Sequence, residues 1–469
     1  MRPDHDTIVA PATASGGAIA VIRISGDEAL TICDRIFRGR TPLAEAAGYT
    51  VHYGRIVEPA CSGTSPDSCS TAPEPPTEER TVDDVLATVF RAPHSYTGEN
   101  SVELSCHGSS YIVSEILRLL LAAGARMATP GEFTLRAYFA GKLDLSQAEA
   151  VADLIASSSR AAHALASNQM RGGYSAALDA LRDRLLHLTS LLELELDFSE
   201  EDVEFADRQA LQETMERIDA EIERLRDSFT LGNALKEGIP VAIVGAPNAG
   251  KSTLLNRLLN EERAIVSDIA GTTRDIIEET VNLDGIRFRF VDTAGIRTTD
   301  DRLERMGIQR TLQRIAQARI VIRLLDAAAF TGTVPPPDFD LPEGCTLLTV
   351  LNKTDLYPSL VIPQDVIGLS ARNGDGIDAL RRALLQTIGA DSLYQGETIV
   401  SNGRHFEALS GAHDALSRAL AALHSGLPAD LLSEDIQQVI RFIGEITGRG
   451  VILSDEILGN IFSKFCIGK

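Results

Sequence analysis

The chain has 469 residues, a length typical of about three domains, and carries a formal net charge of −22 at pH 7. Such an acidic balance argues against broad non-specific binding to nucleic acid, which needs a basic surface, so any contact with RNA must be local or shared with a partner. No apolar run approaches the length of a membrane span and no secretory signal precedes Asp6, so we expect neither a membrane anchor nor export.

In the N-terminal third, β-branched content predicts strands over residues 18–25 and 85–90. Between them, residues 59–80 are rich in Pro, Ser, Thr and Glu, which is typical of a solvated loop or a disordered insert. From Leu143 the pattern becomes helical, and residues 147–159 are rich in alanine.

The helical pattern continues with four leucines at helical spacing, which we expect to face a core: Leu181, Leu185, Leu188 and Leu192. An acidic stretch follows, then a helix to about Phe229, and further helices are predicted over residues 404–423 and 434–447. The simplest architecture is one helical domain interrupted by an inserted α/β domain, because the termini of an inserted domain often lie close together. Two separate helical domains are the alternative.

The inserted segment begins with an apolar strand at residues 239–244, followed by the sequence GAPNAGKS at 245–252. Glycines in such a loop let backbone N–H groups turn around an anion, Lys251 can reach the β- and γ-phosphates, and the Ser252 hydroxyl can bind Mg²⁺. The helix predicted from Thr253 to Leu259 directs its positive end at the phosphates. This context predicts the phosphate-binding loop of a nucleotide hydrolase.

Four further motifs follow in order and indicate that the nucleotide is a guanine nucleotide. GTTRD at 271–275 contains a threonine suited to complete the Mg²⁺ shell, and DTAG at 292–295 follows a strand at 288–291. NKTD at 352–355 follows a strand at 346–351, and Asp355 can accept hydrogen bonds from both N–H groups of a guanine edge, which adenine does not offer. Ser370 and Ala371 follow a strand at 366–369 and brace the base.

The catalytic machinery differs from that of Ras-type enzymes, which orient the attacking water with a glutamine after the DTAG-type motif. Ile296 occupies that position here, so a polar group such as Glu304 or Arg297 must act instead. No arginine finger is identifiable. Asn248 offers a carbonyl oxygen that can hold a monovalent cation beside the phosphates, or it only shapes the turn, as asparagine often does.

The six cysteines are scattered without close pairs, which predicts reduced thiols in a cytoplasmic protein rather than a disulfide framework. Cys61 and Cys69 lie in a segment that lacks histidine, which disfavours a zinc site. Cys466 is placed as in a prenylation motif, but a terminal Lys469 does not fit that motif. A buried thiol and a catalytic or substrate-adjacent cysteine remain as alternatives.

The whole chain resembles the MnmE (TrmE) family of tRNA uridine-5-carboxymethylaminomethyl modification GTPases. Besides the nucleotide motifs, the resemblance rests on DTIVA at 6–10, IRISG at 22–26, PHSYTG at 93–98, TPGEF at 129–133, KLDL at 142–145, QAE at 147–149 and FCIGK at 465–469. It implies an α+β N-terminal domain (1–140) that binds folate and dimerises. It also implies a helical domain (141–237 and 391–469) interrupted by a Ras-like P-loop G domain (238–390).

The resemblance further implies a homodimer that forms a heterotetramer with the FAD-dependent MnmG and modifies the wobble uridine of tRNA. The one-carbon unit comes from a tetrahydrofolate derivative, 5-formyl- or methylene-, and K⁺ activates GTP hydrolysis when G domains meet. By the same resemblance, the K⁺ ligands fall on Asn248, Ser267, the carbonyl of Ile269 and Thr272, and the Mg²⁺ ligands fall on Ser252 and Thr273. The carboxylate that orients the water falls on Glu304. The folate contacts fall on Arg23, Glu103, Lys142 and Lys469, and the family cysteine falls on Cys466.

The GTP-binding positions lie in four groups along the chain. They are Asn248, Ala249, Gly250, Lys251, Ser252 and Thr253; Ser267, Asp268, Ile269, Ala270, Gly271, Thr272 and Thr273; Asp292, Thr293, Ala294 and Gly295; and Asn352, Lys353, Asp355, Ser370, Ala371 and Arg372.

Two departures from the family pattern lie in the N-terminal domain. TASGG at 13–17 replaces the usual PGRGG and lacks its arginine, and the insert at 59–80 is longer than usual. Two other functions share the same nucleotide motifs. A ribosome-assembly GTPase usually adds a second G domain or a basic RNA-binding module, which this chain lacks, and a non-catalytic GTP switch does not need intact Mg²⁺ ligands and Glu304.

Overall fold

The computed structural model describes residues 6–14, 16–59, 79–197, 208–263, 279–291, 312, 315–388, 398–425, 429–465 and 468. The chain forms two compact units, residues 1–152 with 444–469 and residues 153–443. Among the described residues, no helix is long and apolar enough to cross a membrane.

The elements are numbered in chain order. The strands are β1 (Ile8–Pro11), β2 (Ile19–Ser25), β3 (Phe37–Gly39), β4 (Thr50–Glu58), β5 (Arg80–Phe90), β6 (Ser101–His107), β7 (Arg126–Met127), β8 (Ile239–Gly245), β9 (Glu279–Leu283), β10 (Ile286–Phe290), β11 (Ile320–Asp326), β12 (Thr346–Asn352) and β13 (Ile367–Leu369). The helices are α1 (Ala29–Ile36), α2 (Ser110–Ala122), α3 (Glu132–Phe139), α4 (Leu145–Ala156), α5 (Arg160–Met170), α6 (Gly173–Asp197), α7 (Arg208–Asp227), α8 (Phe229–Glu237), α9 (Lys251–Arg263), α10 (Ile377–Gln386), α11 (Gly403–His424), α12 (Ala429–Thr447) and α13 (Asp455–Phe462).

The first unit is built on a seven-stranded sheet with the order β3-β4-β5-β6-β2-β1-β7. Neighbouring strands are antiparallel except β1 and β7, which are parallel. Side chains alternate across the sheet, so Ile22, Ile24 and Leu104 are buried in the core beneath α1 and α2. The strand predicted at 18–25 is confirmed as β2, and the one at 85–90 is the second half of β5.

The opposite face of this sheet carries exposed apolar side chains. Ile19, Val51, Tyr53 and Leu86 are 65%, 60%, 67% and 47% exposed. Tyr53 lies directly across from Leu86 in the strand register, so these residues form part of one continuous surface. Contiguous apolar surface of this kind marks an interaction site in a soluble protein.

The end of the chain returns to the N-terminal sheet within the same unit. Helix α13 packs against α3, and Leu135, Leu458, Phe462 and Phe465 share a buried cluster. Farther on, Gly468 approaches so closely that a Cβ atom there would lie 2.0 Å from the carbonyl oxygen of Pro11. The two ends of the chain therefore contribute to one structural unit.

In the second unit, helices from before and after the α/β region pack against each other. The His413 ring on α11 lies 2.8 Å from a carboxylate oxygen of Asp219 on α7, and the rings of Phe229 and Phe406 stack with centroids 4.7 Å apart. The α/β domain is therefore inserted into one helical domain, and the alternative of two separate helical domains is wrong.

The four leucines predicted to face a core do so: Leu181, Leu185, Leu188 and Leu192 are at most 3% exposed. Burying each leucine stabilises the folded state by about 1.5–3 kcal/mol. The helix predicted to about Phe229 is confirmed as α7, which ends at Asp227, and a further helix, α8, follows after Ser228. The acidic stretch and the insert at 59–80 lie largely outside the described residues.

The inserted domain contains a six-stranded sheet with the order β13-β12-β11-β8-β10-β9. All neighbours are parallel except the hairpin β9–β10. The predicted strands are confirmed with shifts of one or two residues, and the helix expected from Thr253 begins at Lys251. Because the carboxyl ends of parallel strands meet at one edge, the loops after β8, β12 and β13 converge there.

The β9–β10 hairpin rests on the start of α5. The amide of Ala161 donates to the carbonyl oxygen of Gly285 at 2.9 Å, and Arg287 donates to the hydroxyl of Ser158 at 3.0 Å. Gly285 has a φ of +87°, and a Cβ atom there would lie 2.7 Å from the Cβ of Arg160. Only glycine permits this approach between the hairpin and the helix.

We predict that Gly131→Ala weakens the packing of α13 against α3. Gly131 has a φ of +70°, and its Cβ atom would lie 2.6 Å from the carbonyl oxygen of Phe462. Backbone strain and overpacking together cost about 1–3 kcal/mol. Hydrogen exchange of the α13 amides in the full chain should become faster.

Gly459→Ala is the matched control, because a Cβ atom at this position of α13 meets no atom within 4 Å. Alanine in a helix interior is more favourable than glycine by about 0.5–1 kcal/mol, so this variant should exchange no faster than the wild type. Equal exchange in both variants would contradict the close approach at Gly131.

Candidate nucleotide-binding site

The loop between β8 and α9 has the backbone of a phosphate-binding loop. Gly245, Asn248 and Gly250 have φ values of +154°, +61° and +98°. A Cβ atom at Gly245 would lie 2.3 Å from the carbonyl oxygen of Leu324 on β11, so glycine is required there. These conformations turn the backbone around the space in front of α9, whose N-terminus favours an anion.

Lys251 lies across this loop. Its ammonium group donates hydrogen bonds to the carbonyl oxygens of Gly245 at 2.8 Å and Ala246 at 2.9 Å. Lysine is the positive group that phosphate-binding loops use to reach the β- and γ-phosphates. Ser252, the next residue, is at the first turn of α9, where its hydroxyl can bind a metal ion.

Asn352 connects the phosphate side of the site to the base side. It is 3% exposed, its side-chain N–H donates to the carbonyl of Ala249 at 2.8 Å, and its side-chain oxygen accepts from the amide of Ala371 at 2.9 Å. Both polar ends of a buried amide are therefore satisfied. Gly250 leaves room for this contact, since a Cβ atom there would lie 2.2 Å from the Asn352 nitrogen.

The base-binding loop after β13 is held by its own backbone and by α9. The amide of Ser370 donates to the carbonyl of Asp375 at 2.8 Å, and the Ser370 hydroxyl accepts from the amide of Asn373 at 3.2 Å. Arg257 on α9 donates to the carbonyl of Ala371 at 3.3 Å and also to that of Arg372. No sequence motif points to Arg257, since its partners are carbonyl groups more than a hundred residues away.

Asp355 lies beside this loop in the short 3₁₀ turn Thr354–Leu356 and is exposed. A free carboxylate at the carboxyl edge of the sheet is suited to accept the two N–H groups of guanine. Lys353, which precedes the turn, has a left-handed φ of +68° and pairs with Asp326 at the end of β11.

The remaining predicted nucleotide and catalytic positions lie outside the described residues. They are Ser267, Asp268, Ile269, Ala270, Gly271, Thr272, Thr273, Asp292, Thr293, Ala294, Gly295, Arg297, Glu304, Cys466 and Lys469. Their assignments stay predictions.

A second cluster lies on the open face of the N-terminal sheet. Arg23 on β2 pairs with Glu103 directly opposite on β6, with nitrogen–oxygen distances of 2.8 and 2.9 Å. The Arg23 guanidinium lies over the rings of Tyr96 and Phe133, at 5.3 and 5.8 Å from their centroids. Burial raises the pKa of Tyr96, more than its hydrogen bond with Thr134 and the nearby Arg23 lower it.

Lys142 lies at the same loop as Tyr96, since a Cβ atom on Gly98 would be 3.5 Å from the Cε of Lys142. Of the predicted folate contacts, the structure therefore describes Arg23 and Glu103 as a bonded pair and Lys142 beside the neighbouring loop. Gly468, which precedes Lys469, lies against Pro11.

A buried ionic network lies in the same unit as this cluster. Arg136 is 2% exposed and pairs with Asp6 at 2.6 Å and with Glu99 and Glu132 at 3.1 Å each. Burial alone would raise the pKa of the Glu132 carboxyl, but hydrogen bonds from Arg126, the Thr129 backbone and Arg136 lower it overall. A buried arginine with several carboxylate partners fixes the segments that carry them.

The phosphate-binding loop, the Asn352 bridge and the exposed Asp355 at one sheet edge define a GTP-binding P-loop hydrolase. Family models match along the chain: the GTP-binding protein TrmE N-terminus at residues 7–142 and the MnmE helical domain at residues 145–466. The chain belongs to the MnmE family of tRNA modification GTPases.

The sequences of curated relatives match this chain over nearly their full length. The tRNA modification GTPase MnmE of Bacteroides thetaiotaomicron is 48% identical, with 99% of this chain and 100% of the relative covered. The protein of the same name from Cytophaga hutchinsonii is 48% identical, with 99% and 98% covered. Among solved structures, the FeoB G domain of Methanococcus jannaschii is 26% identical and covers 32% of this chain and 96% of its own, with a TM-score of 0.22.

We predict that Gly250→Ala weakens GTP binding about tenfold or more, because it both strains the backbone and displaces the Asn352 amide. The added Cβ atom would lie 2.2 Å from the Asn352 nitrogen. Titration with a fluorescent GTP analogue measures the affinity. Gly403→Ala is the control, since a Cβ atom there meets nothing within 4 Å. Unchanged affinity in Gly250→Ala would contradict the bridging role of Asn352.

Proposed function

We propose that this chain is a K⁺-activated GTPase that acts as a homodimer with an FAD-dependent partner of the MnmG type. Together they form 5-(carboxymethyl)aminomethyl-uridine at the wobble position of tRNA in the cytoplasm, using a one-carbon unit from a tetrahydrofolate derivative. The proposal is carried by one observation: a phosphate loop and a base loop bridged by Asn352 lie within a chain that matches MnmE relatives from end to end. This match disfavours a ribosome-assembly GTPase.

Hydrolysis transfers the γ-phosphoryl group of GTP to water and releases GDP and phosphate. Lys251 and the N-terminus of α9 stabilise charge on the phosphate oxygens, while Asn352 holds the base loop against the phosphate loop and Asp355 accepts from the base. Ser252 and Thr273 are the proposed Mg²⁺ ligands, and Glu304 orients the water, with Arg297 as the alternative. The oxygen donors in these positions are the ligand type that Mg²⁺ prefers.

Asn248 is central to the proposed K⁺ site. It is exposed at the phosphate loop and has a positive φ, so its side chain is not required for packing. Its carbonyl oxygen, with Ser267, the carbonyl of Ile269 and Thr272, would hold K⁺ beside the β- and γ-phosphates. The ion would supply the positive charge that an arginine finger supplies in other GTPases.

The N-terminal cluster is the proposed folate site. Glu103 can accept from the pterin N–H groups, while Arg23, Lys142 and Lys469 suit the carboxylates of the glutamate tail. The approach of Gly468 to Pro11 supports a role for the chain end, and Cys466, two residues earlier in the sequence, is the proposed cysteine that would act near the one-carbon unit. The exposed apolar surface of Ile19, Val51, Tyr53 and Leu86 supports pairing with a second copy on the same sheet face.

We predict that GTP hydrolysis is faster in K⁺ than in Na⁺ by on the order of tenfold or more, and that Asn248→Gly removes this difference. Glycine adopts the φ of +61° without strain, so this variant removes the carbonyl and keeps the turn. Turnover and GTP affinity are measured in both salts. A wild type with equal rates in K⁺ and Na⁺ would falsify the cation site, and a preserved K⁺ response in Asn248→Gly would reduce Asn248 to a turn former.

We predict that Glu103→Gln weakens binding of 5-formyltetrahydrofolate about tenfold, because charge-assisted hydrogen bonds contribute about 1.5–3 kcal/mol each. Isothermal titration calorimetry measures the affinity. Glu45→Gln, an exposed substitution in the same unit, is the control. GTP turnover should stay unchanged in both variants. Wild-type folate affinity in Glu103→Gln would remove Glu103 from the proposed site.

A further inference from the structure

Asp326 is a charged residue at the nucleotide edge to which the sequence motifs give no role. It is the last residue of β11 and lies opposite Asn352, the last residue of β12, in the parallel register. Both residues therefore end their strands at the edge where the phosphate and base loops converge.

Each oxygen of the Asp326 carboxylate has a partner. One oxygen accepts from the amide of Ala328 at 2.9 Å and caps the 3₁₀ turn Ala327–Ala329. The other accepts from the ammonium group of Lys353 at 2.6 Å. The two side chains are 22% and 33% exposed, so the pair is partly shielded from water.

The carboxylate of Asp326 is ionised at neutral pH. Burial alone would raise the pKa of Asp326, but the hydrogen bonds from Lys353 and from the Ala328 amide lower it overall. The contact is therefore an ion pair between the end of β11 and the NKTD segment.

Lys353 is placed where its conformation matters for the nucleotide. It lies between Asn352, which bridges the phosphate and base loops, and Asp355, the proposed acceptor of the base N–H groups. Its backbone is left-handed, with a φ of +68°, and its long side chain has many rotamers in the absence of a partner. The ion pair selects one of them before the nucleotide arrives.

We propose that Asp326 is a positioning residue for guanine-nucleotide binding, which acts by holding Lys353 in its binding conformation. A preorganised side chain loses less rotamer freedom when the nucleotide binds, so the benefit appears in affinity. Capping of the 3₁₀ turn is the competing explanation for Asp326, and Asp326→Asn separates the two. Asparagine retains an oxygen that can accept from Ala328 but loses the charge that holds Lys353.

The experiment measures the affinity for GDP in Na⁺ buffer, which does not depend on K⁺ activation, folate or the partner enzyme. Four proteins form a double-mutant cycle: the wild type, Asp326→Asn, Lys353→Met and the double variant. Asp326→Asn should weaken GDP binding about tenfold, the scale of one long side chain's rotamer entropy. The same substitution should have little further effect once Lys353 is methionine.

GTP turnover provides a second measurement, in which Asp326→Asn should raise KM much more than it changes kcat. Asp338→Asn, an exposed substitution in the same domain, is the matched control, and thermal unfolding verifies that each variant is folded. An equal loss of affinity from Asp326→Asn with and without Lys353 would overturn the proposal, because Asp326 would then act through a group other than Lys353. Wild-type affinity in Asp326→Asn would overturn it in favour of the capping role, which asparagine retains. The affinity of an Asp355→Asn variant tests the guanine motif itself. A failure of the Asp355 assignment can therefore be distinguished from a failure of the proposal for Asp326.

Discussion

The nucleotide site depends on one buried side-chain amide. Asn352 accepts from the backbone after β13 and donates to the backbone of the phosphate loop, so it fixes the distance between the two loops that hold opposite ends of a nucleotide. Because both hydrogen bonds are shielded from water, losing one leaves a buried polar group unsatisfied and costs about 1–3 kcal/mol.

In the N-terminal unit, a buried charged side chain joins distant segments in the same way. Arg136 pairs with the carboxylates of Asp6, which precedes β1, of Glu99, which lies in the loop with Tyr96, and of Glu132 on its own helix. These pairs fix three segments that are distant in sequence. In the same unit, Arg23 and Glu103 form a pair whose side chains are 20% and 26% exposed. A rigid unit that carries partly exposed charged groups is the arrangement that a binding surface needs.

The sequence predicted the inserted domain and its strands β8, β10, β12 and β13, because each of these is a local pattern next to a motif, whereas β9 and β11 were not predicted. The hydrogen bonds of Asn352 join residues 103 and 19 positions apart, and those of Arg257 and Asp326 span 114 and 27 positions. No local pattern encodes such contacts, so the roles of Arg257 and Asp326 emerged only from the fold. The end of α7 was predicted within two residues, whereas the short helix α8 that follows it was not predicted.

The β9–β10 hairpin is hydrogen-bonded to the start of α5, so the helical domain is connected to the two strands that flank the proposed nucleotide contacts. In the sequence, the GTTRD motif lies shortly before β9 and the DTAG motif shortly after β10, and these motifs carry the proposed Mg²⁺ and phosphate contacts. Gly285 is bonded to Ala161 on α5, and Arg287 is bonded to Ser158 just before it. A displacement of the hairpin relative to the helical domain therefore breaks these bonds or carries the start of α5 with it.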